Sequence, residues 1–204
     1  IPDGVTRINE GAFAGRPDIT VVHFQEGLER IQDGAFRGCT GLTEISFPSS
    51  LEYVGSYAFA GCTGLERVDL STLRTSNATI QTYAFAGCTS LRSIYIPDMH
   101  KFASYAFAGS GIRVLQFADD YTLSTYTNGQ YAFSGIPYLT AVELPGSGTF
   151  DRISYRSFNE EGRVLDEPLQ IYYKGTGEER ENLVIDSGNE LLWEGRWHYN
   201  SGIP

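Results

Sequence analysis

The stretch Ala58-Phe59-Ala60-Gly61-Cys62-Thr63-Gly64-Leu65 recurs along the chain, and its recurrence decides the fold. Ala-Phe pairs stand at 12/13, 35/36, 58/59, 84/85, 106/107 and 132/133, with a degraded copy at Ser157-Phe158. The steps from Phe to Phe are 23, 23, 26, 22, 26 and 25 residues. Each of the first six pairs is followed two residues later by a glycine: Gly15, Gly38, Gly61, Gly87, Gly109 and Gly135. A period of twenty-odd residues is the signature of a solenoid, in which each unit packs only on its neighbours.

Reading onward from each Phe gives a second phrase, apolar-x-x-apolar-x-apolar. It runs through Ile19/Val22/Phe24, Leu42/Ile45/Phe47, Leu65/Val68/Leu70, Leu91/Ile94/Ile96, Ile112/Leu115/Phe117 and Leu139/Val142/Leu144, with a looser copy in Leu169-Gln170-Ile171-Tyr172-Tyr173. The closing alternation has period two and predicts a half-buried strand. Pro48, Pro97 and Pro145 close three of these strands, where a missing backbone donor does least harm. A third phrase precedes the Ala-Phe pairs: Val5/Ile8, Leu28/Ile31, Leu51/Val54 and Phe150/Ile153. Its spacing predicts a short helical or 3-10 turn, or an irregular second layer, opposite the strands. Stacked at about 4.8 Å per repeat, seven strands make a parallel sheet roughly 30 Å long. The expected fold is a repeat solenoid with a parallel β-sheet on one face and short turns on the other.

These phrases resemble the BspA-like, or Treponema-type, leucine-rich repeats of bacteria. The resemblance rests on Leu28-Glu29-Arg30-Ile31-Gln32-Asp33-Gly34-Ala35-Phe36-Arg37-Gly38-Cys39-Thr40-Gly41-Leu42-Thr43-Glu44-Ile45-Ser46-Phe47-Pro48 and its copies, and covers residues 1–158. Unlike better-known leucine-rich repeats, the chain has no repeated Asn after the strand, so no asparagine ladder is expected. The resemblance implies the repeat region of a secreted or cell-surface bacterial protein that serves in adhesion or protein binding. It also implies that the tail, with its Tyr172-Tyr173-Lys174-Gly175-Thr176 and His198-Tyr199-Asn200 phrases, closes the array.

The domain reading is a leucine-rich repeat solenoid over 1–158, of about six to seven repeats, with 159–204 as the last strand and aromatic C-terminal cap of the same domain. Ile1-Pro2 aligns with Phe47-Pro48, Ile96-Pro97 and Leu144-Pro145, so the first unit is read as N-terminally truncated. In the tail, Glu178 to Ile185 reads as a helical turn leading into a strand, and both tryptophans, Trp193 and Trp197, supply the bulk that a cap needs.

Net charge of −10 argues against nucleic acid, which requires a basic surface. No apolar run reaches the length of a membrane span. Cys39, Cys62 and Cys88 share one column of the repeat, whose other members are Arg16, Ser110 and Ile136. That column reads as a stack of small buried thiols rather than a metal or redox site. A tyrosine precedes Ala-Phe at Tyr57, Tyr83, Tyr105 and Tyr131, which reads as a structural ladder in preference to a carbohydrate-binding strip. The segments 71–79 and 118–126 lengthen two units and read as surface loops, the first holding the sequon Asn77-Ala78-Thr79.

Chemistry-bearing constellations are absent from the sequence. His23, His100 and His198 fall in different units without partners at ligand spacing, and Asp119-Asp120 and Glu160-Glu161 are adjacent pairs in loops. No enzyme and no cofactor is expected. What remains is surface, the concave strand face, where outward positions align in columns. One column is read as His23, Ser46, Asp69, Tyr95, Gln116, Glu143 and Tyr173; beside it run Val21, Glu44, Arg67, Ser93, Val114 and Ala141. A third is Thr20, Thr43, Glu66, Arg92, Arg113, Thr140 and Gln170. Tyr and Arg are favoured anchors of recognition, so the expected protein-binding residues are His23, Arg92, Tyr95 and Arg113, facing a host surface protein or a glycan. The alternatives are a passive spacer and an accessory binding region of an extracellular enzyme.

Overall fold

The computed structural model describes residues 1–75, 78–97, 101–119, 131, 133–146, 152–153, 158, 167–185, 187 and 189–204. In chain order the strands are β1 (Arg7–Ile8), β2 (Arg30–Ile31), β3 (Glu44–Ser46), β4 (Tyr53–Val54), β5 (Arg67–Asp69), β6 (Thr79–Ile80) and β7 (Ser93–Ile96). They continue as β8 (Lys101–Phe102), β9 (Val114–Phe117), β10 (Ala141–Leu144), β11 (Arg152–Ile153), β12 (Gln170–Tyr173), β13 (Val184–Ile185) and β14 (Arg196–Tyr199). The helices are α1 (Gly177–Asn182) and α2 (Glu190–Trp193), and Ser71–Thr75 is a 3-10 turn.

Most coils contribute two described strands, one long and one short, to parallel ladders on different sides of the coil. The longer strands pair in the order β14-β12-β10-β9-β7 and as β3-β5; the short ones pair as β1-β2-β4-β6-β8 and β11-β13. The long ladder is interrupted between β5 and β7, in the unit that the Ser71–Thr75 turn lengthens. The second layer is therefore extended: Ile8, Ile31 and Val54 sit in two-residue strands in register with one another. Stacking at β-spacing lets each short segment pair with its copies, which a lone helical turn could not do, and pairing satisfies the buried backbone.

Ala-Phe makes the third side of the coil. Seven phenylalanine rings, Phe13, Phe36, Phe59, Phe85, Phe107, Phe133 and Phe158, stack in sequence with centroids 5.0, 5.2, 5.3, 5.5, 6.3 and 5.4 Å apart. A backbone ladder runs beside them: the Phe36 N–H donates to Ala58 O and the Phe59 N–H to Ala84 O, both at 2.8 Å. The glycine two residues on has φ of +72° at Gly38 and Gly61, a left-handed turn that glycine adopts without penalty. Inside, Leu28, Leu42, Ile45, Phe47, Leu65, Ile94, Leu115 and Val142 belong to one continuous buried core.

The thiols of Cys39, Cys62 and Cys88 are free and buried, and each donates to the carbonyl of a phenylalanine one coil earlier, at 3.1, 3.2 and 3.3 Å. Burial pushes the Cys62 thiol up to about 12 and Cys88 well above its ordinary value. The lengthened segment after β5 is more than a polar loop. Leu73 and Ala78 are fully buried, and the Thr72 hydroxyl donates to Phe47 O at 2.6 Å.

At the far end α1 begins with a reciprocal capping box between Thr176 and Glu179. Asn189 precedes α2 without capping it, because its buried Oδ1 accepts the Phe158 N–H at 2.8 Å. That contact gives the last rung of the phenylalanine column the acceptor that a next alanine would otherwise provide. Trp197 packs edge-on against Tyr173 and donates through Nε1 to Leu192 O at 2.9 Å. Trp193 stays 56% exposed, so of the two tryptophans expected to cover the last rung it is Trp197 that packs inward.

Candidate functional site

The long-strand ladder alternates buried and exposed residues, Ser93–Ile96 in the sequence exposed, buried, exposed, buried. Within each of its two parts, β3-β5 and β7 to β14, the outward positions stand in columns because the strands pair in register. Glu44 faces Arg67 and Ser46 faces Asp69; Tyr95 faces Gln116, and Gln116 faces Glu143. Two column members expected from the sequence are displaced by one residue. Glu143 pairs with Tyr172, not Tyr173, and Tyr173 is a fully buried partner of Leu144. Gln170 pairs with Ala141 and so belongs to the second column, not the third. The outward column then continues through Tyr172 to His198 of β14, whose rings stack at 4.7 Å.

Of the four residues expected to bind, three lie together. Arg92 immediately precedes β7, Tyr95 lies within it, and the backbone N–H of Arg113 donates to Arg92 O at 2.8 Å. All three side chains are exposed, Tyr95 to 48%. His23 is exposed too but lies in the first coil, with β3 and β5 between it and Tyr95. There it borders a shallow groove of about 260 Å³ with Glu44, Ser46, Arg67 and Asp69. Arg67 and Glu44 approach to 4.0 Å across it, with side chains 81% and 57% exposed, a geometry worth little in stability. The His23 end and the Arg92-Tyr95-Arg113 patch are thus two separate parts of one face.

Sequence reasoning missed the part played by Glu143. This carboxylate, expected as a solvated member of the outward column, is 7% exposed. Its Oε1 accepts from Lys174 Nζ at 2.8 Å; its Oε2 accepts from the Ile203 N–H at 2.9 Å and from Gln116 Nε2 at 3.4 Å. Lys174 also binds Asp119. Burial is the largest influence on Glu143 and opposes its ionisation. The hydrogen bonds from Lys174, Ile203 and Gln116 together still hold its carboxyl below the ordinary value. No sequence signal marks this, since it depends on the chain's last residues crossing the sheet.

The tyrosine column is a ladder in space. Tyr57, Tyr83, Tyr105 and Tyr131 stack at 5.2, 5.3 and 5.2 Å, so their ring faces cover one another. A sugar ring stacks on an open aromatic face, and the faces these tyrosines turn to one another are closed to it. His100, Asn77, Asp120, Glu160 and Glu161 lie outside the described residues. Among the described residues no three His, Cys, Asp or Glu side chains gather in a metal-binding arrangement, and no helix is long and apolar enough to cross a membrane.

Two stacked parallel ladders with a phenylalanine spine define a repeat solenoid that presents columns of side chains from one sheet. A family model for the BspA type leucine-rich repeat region matches in six copies, over residues 6–135 and 71–164, and the chain belongs to that family. Among solved structures, the pneumococcal vaccine antigen PcpA is similar with a TM-score of 0.58 at 18% identity. The match covers 81% of this chain, which spans 39% of that one. The T. pallidum leucine-rich repeat protein TpLRR is similar with a TM-score of 0.54 at 24% identity, over 84% of this chain and 81% of its own. These likenesses are of fold. A search of curated proteins returns no match.

Proposed function

We propose that this chain is a non-catalytic protein-recognition module of a secreted or cell-surface bacterial protein, and that it binds through the outward face of the long-strand sheet. The observation that carries the reading is that Arg92 and Arg113, joined through their backbones just before the paired strands β7 and β9, are exposed together with Tyr95 on β7. Residues on paired strands are held in place before a partner arrives, so little ordering entropy is lost on binding. Arginine and tyrosine are the residue types that most often dominate such interfaces. The acidic balance of the chain favours partners with basic surface over nucleic acid. Membership of the BspA-type family supports adhesion and surface display as the setting.

The test is binding to a panel of extracellular-matrix proteins, mucins and glycans, with the triple variant Arg92→Ala, Tyr95→Ala, Arg113→Ala beside the native chain. Saturable binding to a panel member, weakened at least ten-fold in the variant, is the expected result. Binding that survives the triple substitution unchanged would move recognition off this patch.

A further inference from the structure

The outward face is closed at one point by the chain itself. After β14 the backbone turns at Asn200, whose φ is +52°, and folds back over the end of β12. The Asn200 N–H donates to Gly175 O at 3.0 Å and the Ser201 N–H to Tyr173 O at 3.4 Å. Ile203 then reaches β10, two strands from β14 in the ladder, and donates its N–H to Glu143. A carboxylate that accepts one backbone N–H while a lysine and a glutamine amide hold its other lone pairs is a built acceptor for a peptide backbone.

Its surroundings carry side-chain preferences. A Cβ placed on Gly202 would stand 3.2 Å from Glu143 Oε2, so a side chain there crowds the carboxylate. The residue that donates the N–H, Ile203, is half-buried. The tail is also an imperfect occupant: Ser201 Oγ is buried and has no hydrogen-bond partner among the described residues. A buried hydroxyl without a partner weakens the segment that carries it, which leaves the segment open to displacement.

We propose that Glu143, with Gln116 and Lys174 around it, is an anchoring site for an extended peptide presenting a glycine followed by an apolar residue. Residues Ser201 to Ile203 are its intramolecular occupant, and a partner's segment of the same chemistry displaces them. This deepens the reading of the sheet face as a protein-recognition surface and rests on it.

The test uses a fluorescently labelled peptide with the sequence of residues 199–204, Tyr-Asn-Ser-Gly-Ile-Pro, followed by anisotropy. A chain ending at Asn200 should bind it saturably, and the intact chain at least ten-fold more weakly because its own tail competes. Binding to the shortened chain should fall at least ten-fold with Glu143→Gln, and equally for a peptide with proline at the Ile203 position, which lacks the N–H. A peptide with alanine in place of Ser201 should bind more tightly. Should the shortened chain fail to fold, intact Gly202→Ala serves instead: crowding loosens its tail, and its affinity for the peptide should rise at least three-fold over native. Absence of binding to the freed site, or equal binding by Glu143→Gln, overturns the proposal. Arg92, Tyr95 and Arg113 take no part in this readout, so its failure leaves the broader reading of the face to its own test.

Discussion

Tyr83 holds φ at +59°, and Tyr57, Tyr105 and Tyr131 hold the same left-handed backbone at their own rungs. An L-residue with a Cβ pays about 1–2 kcal/mol for that conformation. Stacking on two neighbours returns about 0.5–1.5 kcal/mol per pair, beyond the area the ring buries. Replacing tyrosine by glycine relieves the strain but adds about 0.4–1 kcal/mol of freedom to the unfolded chain. Tyr83→Gly should therefore be less stable than native by about 1 kcal/mol, and Tyr83→Ala, which keeps the strain and loses the stack, less stable still. Urea denaturation decides it, and a stabilised Tyr83→Gly would show that the stack contributes nothing. The sequence holds the clue to this backbone: Gly11 and Gly34, with φ of +60° and +61°, occupy the same position in the first two units. A residue type that alternates only with glycine marks a left-handed site, and the repetition of tyrosine alone conceals it. The thiol column gives a second case. Ser110 occupies it with a buried Oγ that lacks a partner among the described residues, whereas Cys39, Cys62 and Cys88 donate to carbonyls. Ser110→Cys should raise stability by about 1 kcal/mol, read from the urea midpoint. The native thiols should resist Ellman's reagent at pH 8 and react after denaturation. Since folding raises their pKa, the stability they contribute is fully present below the unfolded thiol value of about 8.5 and declines above it, as the unfolded chain ionises first.

At the scale of elements, sequence reading succeeds where the period is long enough to fix phase and fails where it is not. Ser93–Ile96 and Val114–Phe117 alternate cleanly, and their buried residues are those the pattern assigns. In the last copy, Ile171-Tyr172-Tyr173 is apolar at every position, so alternation cannot say which tyrosine faces out; pairing of Ile171 with Val142 decides it. The second layer was legible as apolar positions but not as strands, because two residues per coil carry no period, and only stacking makes them a ladder. The three side chains of Arg92, Tyr95 and Arg113 could be placed on one face from spacing alone, while Glu143 could not, its burial being imposed by residues sixty positions on. The latch at Glu143 has a consequence for pH. Its carboxyl sits below the ordinary glutamate value, so its contribution is present above about pH 4.3 and is lost as pH falls through the lower folded value. Lys174 faces it across the latch and also binds Asp119; burial opposes its charge, but these carboxylates raise its pKa and it stays charged throughout the acidic range. The Ile203 amide resonance should therefore move toward its unstructured position on acidification below about pH 4, while amides of Phe36 and Phe59 remain protected. If the Ile203 resonance does not titrate, the latch does not depend on the Glu143 charge.

The coils stack as a column, and a rung packed on both sides should matter more to stability than a rung packed on one. Phe59 is fully buried, stacks on Phe36 at 5.2 Å and on Phe85 at 5.3 Å, and meets Phe47 edge-on at 5.9 Å. Phe13 is only half-buried, stacks on Phe36 alone among the described rings, and lines an apolar recess of about 280 Å³ beside the first coil with Ile1, Ile19, Val21 and Val22. At Phe158 the column differs, since Asn189 accepts the Phe158 N–H, and nearby Trp197 packs edge-on against Tyr173. In a solenoid each unit is stabilised by its two interfaces, so emptying a central rung weakens both and emptying a terminal one weakens a single interface. Phe59→Ala should cost about 3–5 kcal/mol and Phe13→Ala less than half as much. Hydrogen exchange separates this from a uniform loss of stability. In Phe59→Ala, amides of Phe36 and Phe85 should exchange faster than those of β12 and β14, which lie several coils away. In Phe13→Ala, faster exchange should be confined to the first two coils. Equal costs at the two sites, or exchange accelerated evenly along the chain in both, would mean that the coils unfold as one cooperative block rather than through nearest-neighbour interfaces.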